Sequence, residues 1–156
     1  MKIRIEIADD LQEDEVIIRC RQIHDHVLNI QKRIAEEYAD VPRLTFFKEN
    51  TEYYFPLEDI LFFETDQDCV YAHTRSDAFR IRFRLYELED ILPHSFVRIS
   101  KSNIVNIWHI LAVNRNLTAS SQIQFYKSHK QVYVSRLYYK NLKARLDERS
   151  YYEESK

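Results

Sequence analysis

The sequence of 156 residues contains no glycine, where average usage of about 7% would give roughly eleven. Phosphate-binding loops, dinucleotide fingerprints and the serine nucleophile elbow all need glycine, because it takes positive φ and lets the backbone approach a ligand. Its absence argues against nucleotide-dependent enzymes. Tight turns must then use Asn, Asp and Ser, and we expect them at Ser76-Asp77, Arg115-Asn116 and Ser128-His129.

Cysteine and long apolar segments are also scarce. The two cysteines, Cys20 and Cys69, leave no disulfide framework or thiolate metal cage and are typical of a reducing compartment. Apolar runs such as Ile60–Phe63 are far shorter than the roughly 18 to 20 residues of a membrane span. The first residues alternate charged and apolar side chains, unlike an export signal. We therefore expect a cytoplasmic protein.

Carboxylates are absent from one long stretch of the chain. Residues 94–146 carry 9 Lys and Arg and no Asp or Glu, whereas residues 1–93 carry 12 basic and 21 acidic residues. A solvated surface normally mixes both signs, so we interpret this basic half as a surface for a polyanion. The alternative is that it pairs with the acidic first half of the same molecule.

Residues 1–43 are predicted to form a small β-β-α segment, which ends near Pro42. Period-two alternation indicates a first strand, and a second is expected near residues 16–19. The alternating residues are Ile3, Ile5 and Ile7. Four-three-four spacing predicts a helix from Gln22 to Tyr38. Its apolar stripe consists of Ile23, Val27, Ile30 and Ile34. The stripe could pack on the hairpin or serve self-association, regulation or a partner.

Residues 44–148 are predicted to form a second, antiparallel β domain, so that the fold class is α+β and mainly β. A short helix is expected at Leu85–Leu92, and another short helix capped by Ser102. Ser135 should cap the last helix, which runs to about Leu146, with 149–156 as a tail. Strands are expected at about 44–48, 52–55, 60–66, 69–75, 79–84, 110–114, 122–126 and 131–134.

One of these strands carries three exposed cations. Arg80, Arg82 and Arg84 alternate with apolar residues, so they share the solvent face of the strand. They could meet phosphates. We favour the interpretation that they form a solvated face balanced by acidic neighbours.

Histidine and carboxylate spacing indicates neither a metal site nor an enzyme. His24 and His26 are two residues apart on a helix, unlike a chelating pair at i and i+4. Cys69 and His73 share a strand face at roughly 13 Å, too far apart for one ion. The carboxylate-free half offers no acid for a catalytic triad. We expect no catalysis, no cofactor and no small-molecule substrate.

The last predicted helix has separate basic and apolar faces. Arg136, Lys140 and Lys143 recur at i, i+4 and i+7, a stripe suited to phosphates. The apolar stripe that would hold the helix to the sheet consists of Tyr138, Leu142 and Leu146.

A second basic arrangement lies at residues 96–106, Phe-Val-Arg-Ile-Ser-Lys-Ser-Asn-Ile-Val-Asn. Ser100 and Ser102 offer hydroxyl groups, and Arg98 offers charge. This combination suits phosphate, and it can present Lys101 or Asn103 to base edges.

At these residues the sequence resembles the LytTR-type DNA-binding domain family of bacterial transcription regulators, over about 44–147. Two features depart from the family: Ser100 stands where many members carry His, and the usual glycine hairpins are absent. The resemblance rests on Asp59-Ile-Leu-Phe-Phe-Glu64, on the helix Leu85–Leu92 before Pro93, on the pattern at 96–106 and on Val134-Ser-Arg136.

The resemblance implies an elongated domain of small β-sheets that inserts loop side chains into successive grooves of double-stranded DNA. The chain resembles the short stand-alone members without a phospho-receiver domain, some of which are inhibited by a membrane protein, and a homodimer on DNA is expected. The candidate base contacts are Asp68, Lys101, Asn103 and Arg136. The candidate phosphate contacts are Arg98, Ser100, Ser102, Tyr133, Ser135, Lys140 and Lys143.

Two other functions remain open. An RNA-binding or ribosome-associated β domain would need exposed aromatic side chains for base stacking, for which Tyr126, Tyr133 and Tyr139 are candidates. A protein-interaction module would instead use the basic half to bind an acidic partner.

Overall fold

A computed structural model of the chain describes residues 4–12, 15–38 and 42–154. The chain divides into two compact units, Met1–Ala39 and Asp40–Lys156. The described part of the first unit contains helix α1, Asp25–Tyr38. Val27, Ile30 and Ile34 of its apolar stripe are half-buried, whereas Ile23 is exposed.

The hairpin predicted before α1 is not found. Residues 4–12 and 15–24 contain no strand, and Ile5 and Ile7 are 87% and 93% exposed. Alternation alone does not make a strand, because the backbone also needs a hydrogen-bonded partner and an isolated hairpin is marginal in water. Ile3, the first residue of the predicted alternation, lies outside the described residues.

The second unit contains ten strands and two helices in its described part. Short 3-10 turns occur at Leu57–Asp59 and Ile107–His109. The elements are β1 Phe46–Lys48, β2 Thr51–Tyr53, β3 Phe62–Asp66, β4 Cys69–His73, β5 Ala78–Ile81, α2 Leu85–Ile91, β6 Phe96–Arg98, β7 Asn103–Asn106, β8 Ile110–Asn114, β9 Ser121–Phe125, β10 Gln131–Val134 and α3 Arg136–Glu154.

The strands form two antiparallel sheets, and the predicted α+β, mainly β class is confirmed. One sheet has seven strands in the order β2-β1-β5-β4-β3-β7-β6, and the other has three in the order β10-β9-β8. One element was predicted wrongly: Asn103–Asn106 is strand β7 and not a helix capped by Ser102. All four of its residues are buried between β3 and β6, where the β-branched Ile104 and Val105 pack well.

The seven-stranded sheet is covered on both faces near β3. Phe63 belongs to a core that includes Leu88 of α2, and its neighbour Phe62 belongs to a core shared with the three-stranded sheet. Successive residues of a strand point to opposite faces, so each contributes to a different core. Leu142 places α3 against the second core. Burying each such side chain stabilises the fold by about 1.5–3 kcal/mol.

Helix α3 is longer than predicted. It continues past Leu146 to Glu154. Arg149 explains the extension, because its guanidinium donates to the carbonyl oxygens of Ile107 and Ile110 at 2.5 and 2.8 Å and so anchors the later turns.

Hairpin turns form without glycine. Glu49, Gln67 and Lys127 take positive φ values of 55°, 54° and 54° in the β1–β2, β3–β4 and β9–β10 turns. The predicted Asn116 and Ser128 also accept local backbone N–H bonds. A side chain at positive φ costs about 1–2 kcal/mol, which the surrounding strand pairs must offset.

Candidate nucleic-acid interface

Three loops that carry predicted base contacts lie beside one another. Strand β3 pairs with β7, and Thr65 N–H donates to the Ser102 carbonyl at 2.8 Å, so the β3–β4 turn with Asp68 is next to the β6–β7 loop with Lys101. The Ser135 N–H donates to the Ile99 carbonyl at 2.9 Å. The start of α3, with Arg136, is therefore held against the same loop.

A cleft between the β6–β7 loop and β10 brings together five of the predicted contacts. It has a volume of about 400 Å³. We call it the polar cleft, because hydroxyl, amide and carboxylate side chains form most of its wall. It is lined by Glu64, Ser100, Ser102, Asn103, Ser120, Gln131, Val132, Tyr133 and Ser135.

Asn103 is a buried member of the polar cleft. It is 7% exposed, and its Oδ1 accepts from Ser102 Oγ at 3.0 Å and from Ser100 Oγ at 3.2 Å. Its Nδ2 is buried and makes no hydrogen bond within the described residues. A buried amide N–H without an acceptor is costly, so this group has donor capacity for a bound ligand.

The guanidinium of Arg98 is hydrogen-bonded to the backbone of the β6–β7 loop. Its Nε donates to the Ser100 carbonyl at 2.6 Å, and a terminal nitrogen donates to the Lys101 carbonyl at 2.5 Å. The same guanidinium forms an ion pair with Glu89 of α2. These bonds hold the loop backbone in place, while the Lys101 side chain itself is exposed. Sequence reasoning missed Glu89, since nothing in the local pattern linked it to this loop.

The basic stripe of α3 is exposed as predicted. Arg136, Lys140 and Lys143 all face solvent, while Leu142 is buried. Lys143 forms an ion pair with Asp147, and this bond raises the pKa of the lysine above its usual range. The stripe is therefore partly neutralised by a carboxylate just beyond the carboxylate-free stretch.

The three tyrosines considered for base stacking differ in environment. Tyr139 is half-buried, and the guanidinium of Arg115 lies over its ring at 4.8 Å. Tyr126 and Tyr133 are 43% and 56% exposed. Tyr133 also lines the polar cleft.

A half-buried cluster of His73, Glu64 and Lys130 adjoins the polar cleft through Glu64. His73 Nε2 is 3.2 Å from Glu64 Oε2, and its Nδ1 is 3.3 Å from Lys130 Nζ. Burial, together with the neighbouring Lys130 charge, lowers the pKa of His73 to about 4. The neutral ring thus accepts from Lys130 and donates to Glu64. Lys130 lies in the β9–β10 turn of the three-stranded sheet, whereas Glu64 and His73 lie on the seven-stranded sheet. The cluster therefore joins the two sheets, a link that the sequence did not predict.

Arg80 on β5 and Arg82 and Arg84 after it are exposed. The strand predicted at 79–84 ends at Ile81, so the prediction that all three arginines share one strand face is wrong. Among the described residues, Arg80, Arg82 and Arg84 form no ion pair with a carboxylate. The guanidinium of Arg82 instead lies over the ring of Phe47 at 4.3 Å. The three arginines are thus solvated, and the predicted balance by acidic neighbours involves no direct ion pair among the described residues.

No group of three or more His, Cys, Asp or Glu in residues 4–12, 15–38 and 42–154 could hold a metal ion. In the same ranges, no helix has the length and apolar character needed to span a bilayer.

Adjacent loops, a polar cleft and a basic helix face define a nucleic-acid-binding β domain. In the described part of this unit α2 and α3 are separated by strands β6 to β10, so they do not form a helix-turn-helix pair. Residues 50–147 match the family described as LytTr DNA-binding domain. The chain belongs to this family, and the predicted DNA-binding regulator class is confirmed.

Two sequence relatives match almost the whole chain, and a solved structure matches two thirds of it. An uncharacterized HTH-type transcriptional regulator of Staphylococcus aureus strain bovine RF122 / ET3-1 is 32% identical over 147 residues, covering 94% of this chain and 98% of that protein. A protein of the same description from strain N315 is 31% identical with equal coverage. The LytTr DNA-binding domain of a Bacillus cereus protein has a TM-score of 0.62 and 22% identity, covering 67% of this chain and 97% of that one.

Proposed function

We propose that the protein is a sequence-specific regulator of transcription that reads double-stranded DNA with loops instead of a recognition helix. The observation that carries the proposal is the adjacency of the loops with Asp68, Lys101 and Arg136. Lys101 and Arg136 would donate to guanine O6 and N7, and Asp68 would accept from a cytosine amino group.

Phosphate binding is assigned to the polar cleft. The hydroxyls of Ser100, Ser102, Tyr133 and Ser135 are neutral donors that can turn toward a phosphate oxygen. The buried Nδ2 of Asn103 adds a donor at the floor of the cleft. Arg98 acts as a positioning residue in this proposal, since its guanidinium already bonds the loop backbone.

The basic face of α3 supplies attraction that does not depend on sequence. Lys140 and Lys143 are exposed beyond the start of the helix, where they can meet the DNA backbone.

This function requires no catalysis, cofactor or small-molecule substrate, and it places the protein in the cytoplasm with the chromosome.

The test is binding to labelled duplex DNA measured by fluorescence anisotropy. Duplexes are first selected from a random pool and then compared with scrambled versions. Neutralising about six phosphates should give a slope of about -5 for log K against log salt, at roughly -0.9 per contact. Lys101→Ala should lower the preference for the selected duplex by about 1–3 kcal/mol.

Lys127→Asn is the matched control for Lys101→Ala. Lys127 is an exposed lysine in the β9–β10 turn, and Asn tolerates its positive φ. This variant should keep the preference of the original protein. A salt slope near zero for the original protein would remove the nucleic-acid proposal.

RNA binding is the second candidate function, favoured by the exposed rings of Tyr126 and Tyr133. Single-stranded RNA should compete poorly with the selected duplex if the protein reads DNA. RNA that outcompetes the duplex would favour this second function.

The first unit is assigned a regulatory role, through a homodimer on DNA or a membrane-protein inhibitor. Its support is the stripe of Val27, Ile30 and Ile34 on α1, whose spacing suits a helix pair. A dimer links two half-sites and so makes the second contact intramolecular. A chain that starts at residue 44 should bind DNA weakly and without cooperativity. Equal affinity, cooperativity and oligomeric state of the two chains would contradict this role.

A further inference from the structure

We propose that the exposed face of β5, together with Arg82 just after the strand, is a second phosphate-binding surface, which contacts the DNA backbone beside the segment read by the loops. The proposal rests on the proposed function and adds Arg80 and Arg82 to it. We call this surface the arginine shelf and define it as Arg80, Arg82, Phe47 and Tyr71.

Strand pairing places the shelf in line with the polar cleft. Arg80 pairs with Tyr71 on β4, Tyr71 pairs with Glu64 on β3, and Glu64 pairs with Asn103 on β7. Directly paired residues point to the same face of a sheet. One row therefore runs from Arg80 to the floor of the cleft, across three strand spacings of about 4.8 Å each, or roughly 14 Å.

Arg82 follows the end of β5 that lies beside the start of β4. Ile81, the last residue of β5, pairs with Val70, the second residue of β4, and Arg82 comes directly after it. Cys69, the first residue of β4, pairs with Asp66 at the end of β3. A duplex bound at the three loops would thus lie beside the shelf, because β5 is the neighbour of β4 in the sheet.

The opposite side of β5 fixes the orientation of the shelf. Phe79 and Ile81 are buried in the core, so Arg80 between them points to the opposite face of β5. The side chains of Arg80 and Arg82 are exposed to solvent. Rotating the strand would expose two core residues, and the shelf therefore stays on the outer face.

Charge favours a phosphate as the ligand. Neither arginine has a carboxylate ion pair among the described residues, and the carboxylate in the row, Glu64, is bonded to His73. The ring of Phe47 supports the Arg82 guanidinium, which leaves its N–H edge available for bidentate bonds to phosphate oxygens. Neighbouring cations repel one another, and phosphates would relieve that repulsion while releasing counterions.

The test is the salt dependence of binding to a random 40-base-pair duplex. Random sequence is used because phosphate contacts carry no sequence preference. Arg80→Gln with Arg82→Gln should reduce the magnitude of the slope of log K against log salt by about 1.8, at about 0.9 per phosphate. Arg80→Lys with Arg82→Lys keeps both charges and should retain most of the slope.

Arg75→Gln is the matched control. Arg75 is an exposed arginine in the β4–β5 turn, at the end of β5 opposite to Arg82, and its replacement should leave the slope unchanged. Thermal unfolding of every variant checks that the fold is retained. A folded Gln double variant with the slope of the original protein would overturn the shelf. So would a loss confined to single-stranded DNA.

The two proposals fail in different ways. If the original protein shows no salt-dependent duplex binding, the proposed function fails and the shelf with it. If the original protein binds and Lys101→Ala weakens selected binding, but the Gln double variant is unchanged, only the shelf is overturned.

Discussion

The β6–β7 loop and the exposed face of α3 both present cations, but they hold them differently. Lys101 projects from a loop whose backbone is bonded by Arg98 and whose serines are bonded to Asn103. Lys140 and Lys143 project from a regular helix into solvent. Base reading needs atoms at fixed positions, whereas attraction to phosphates needs only charge nearby. The contrast assigns specificity to the loop and general affinity to the helix.

Removing Arg98 should have the largest effect on this contrast. Arg98→Met is expected to lower the preference for a selected over a scrambled duplex by about 1.5–3 kcal/mol, the range for hydrogen bonds to charged groups. Anisotropy titrations of the two duplexes measure it. The variant Glu89→Gln leaves the bonds from Arg98 to the loop carbonyls in place, so it should lose less of the preference for the selected duplex. Equal losses on both duplexes would break the assignment of specificity to the loop.

Acid should weaken the wall of the polar cleft through His73. The pKa of His73 is about 4 in the folded protein, against about 6.5 for an ordinary histidine. Between pH 6.5 and 4 the unfolded chain binds more protons at this histidine than the folded protein does. The contribution of neutral His73 to the free energy of unfolding is therefore complete above pH 6.5 and is lost as the pH falls toward 4. After allowance for solvent screening, the free energy of unfolding should fall by about 2 kcal/mol over this pH range.

Urea unfolding at several pH values measures this loss. His73→Gln removes the titrating group and should flatten the stability profile between pH 6.5 and 4 relative to the original protein. Identical profiles for the two proteins would show that the imidazole does not stabilise this wall.

The two lysines of α3 should differ from one another. Lys140→Ala is expected to reduce the magnitude of the salt slope by about 0.9, the value for one phosphate contact. Lys143→Ala should reduce it less, because Lys143 must leave Asp147 to meet DNA. Asp147→Asn should then strengthen binding. Salt titrations of the three variants decide this, and a larger loss for Lys143→Ala than for Lys140→Ala would contradict it.

The smallest effect is expected at the β9–β10 turn, away from both surfaces. The variant Lys127→Gly removes the cost of a side chain at positive φ. The greater backbone entropy of glycine in the unfolded chain offsets part of this gain, so we expect a net stabilisation of about 0.5 kcal/mol. Ser76→Gly, at a described residue without positive φ, should destabilise instead. Thermal unfolding measures both, and a destabilised Lys127→Gly would refute the strain argument.

Much of the second unit followed from local patterns. Alternation predicted β5 with its buried Phe79 and Ile81, and Ser135 was correctly expected just before α3. Of the hydroxyl groups in the polar cleft, those of Ser100, Ser102, Tyr133 and Ser135 were predicted as contacts from the sequence, whereas that of Ser120 was not. The failures were segments whose structure depends on a partner. Strand β7 exists because it lies between β3 and β6, and residues 4–8 form no strand.

The sequence by itself determined the periodicity of the strands, the carboxylate-free half and the residue types near the loops, because these depend on neighbours along the chain. Only the tertiary structure decided how individual charges are used. Arg98 is bonded to the loop and to Glu89, His73 meets Lys130 across 57 residues, and Arg80 has no carboxylate ion pair within the described residues. The physical reason is that an ion pair or a pKa shift depends on distance and burial, which local periodicity does not specify.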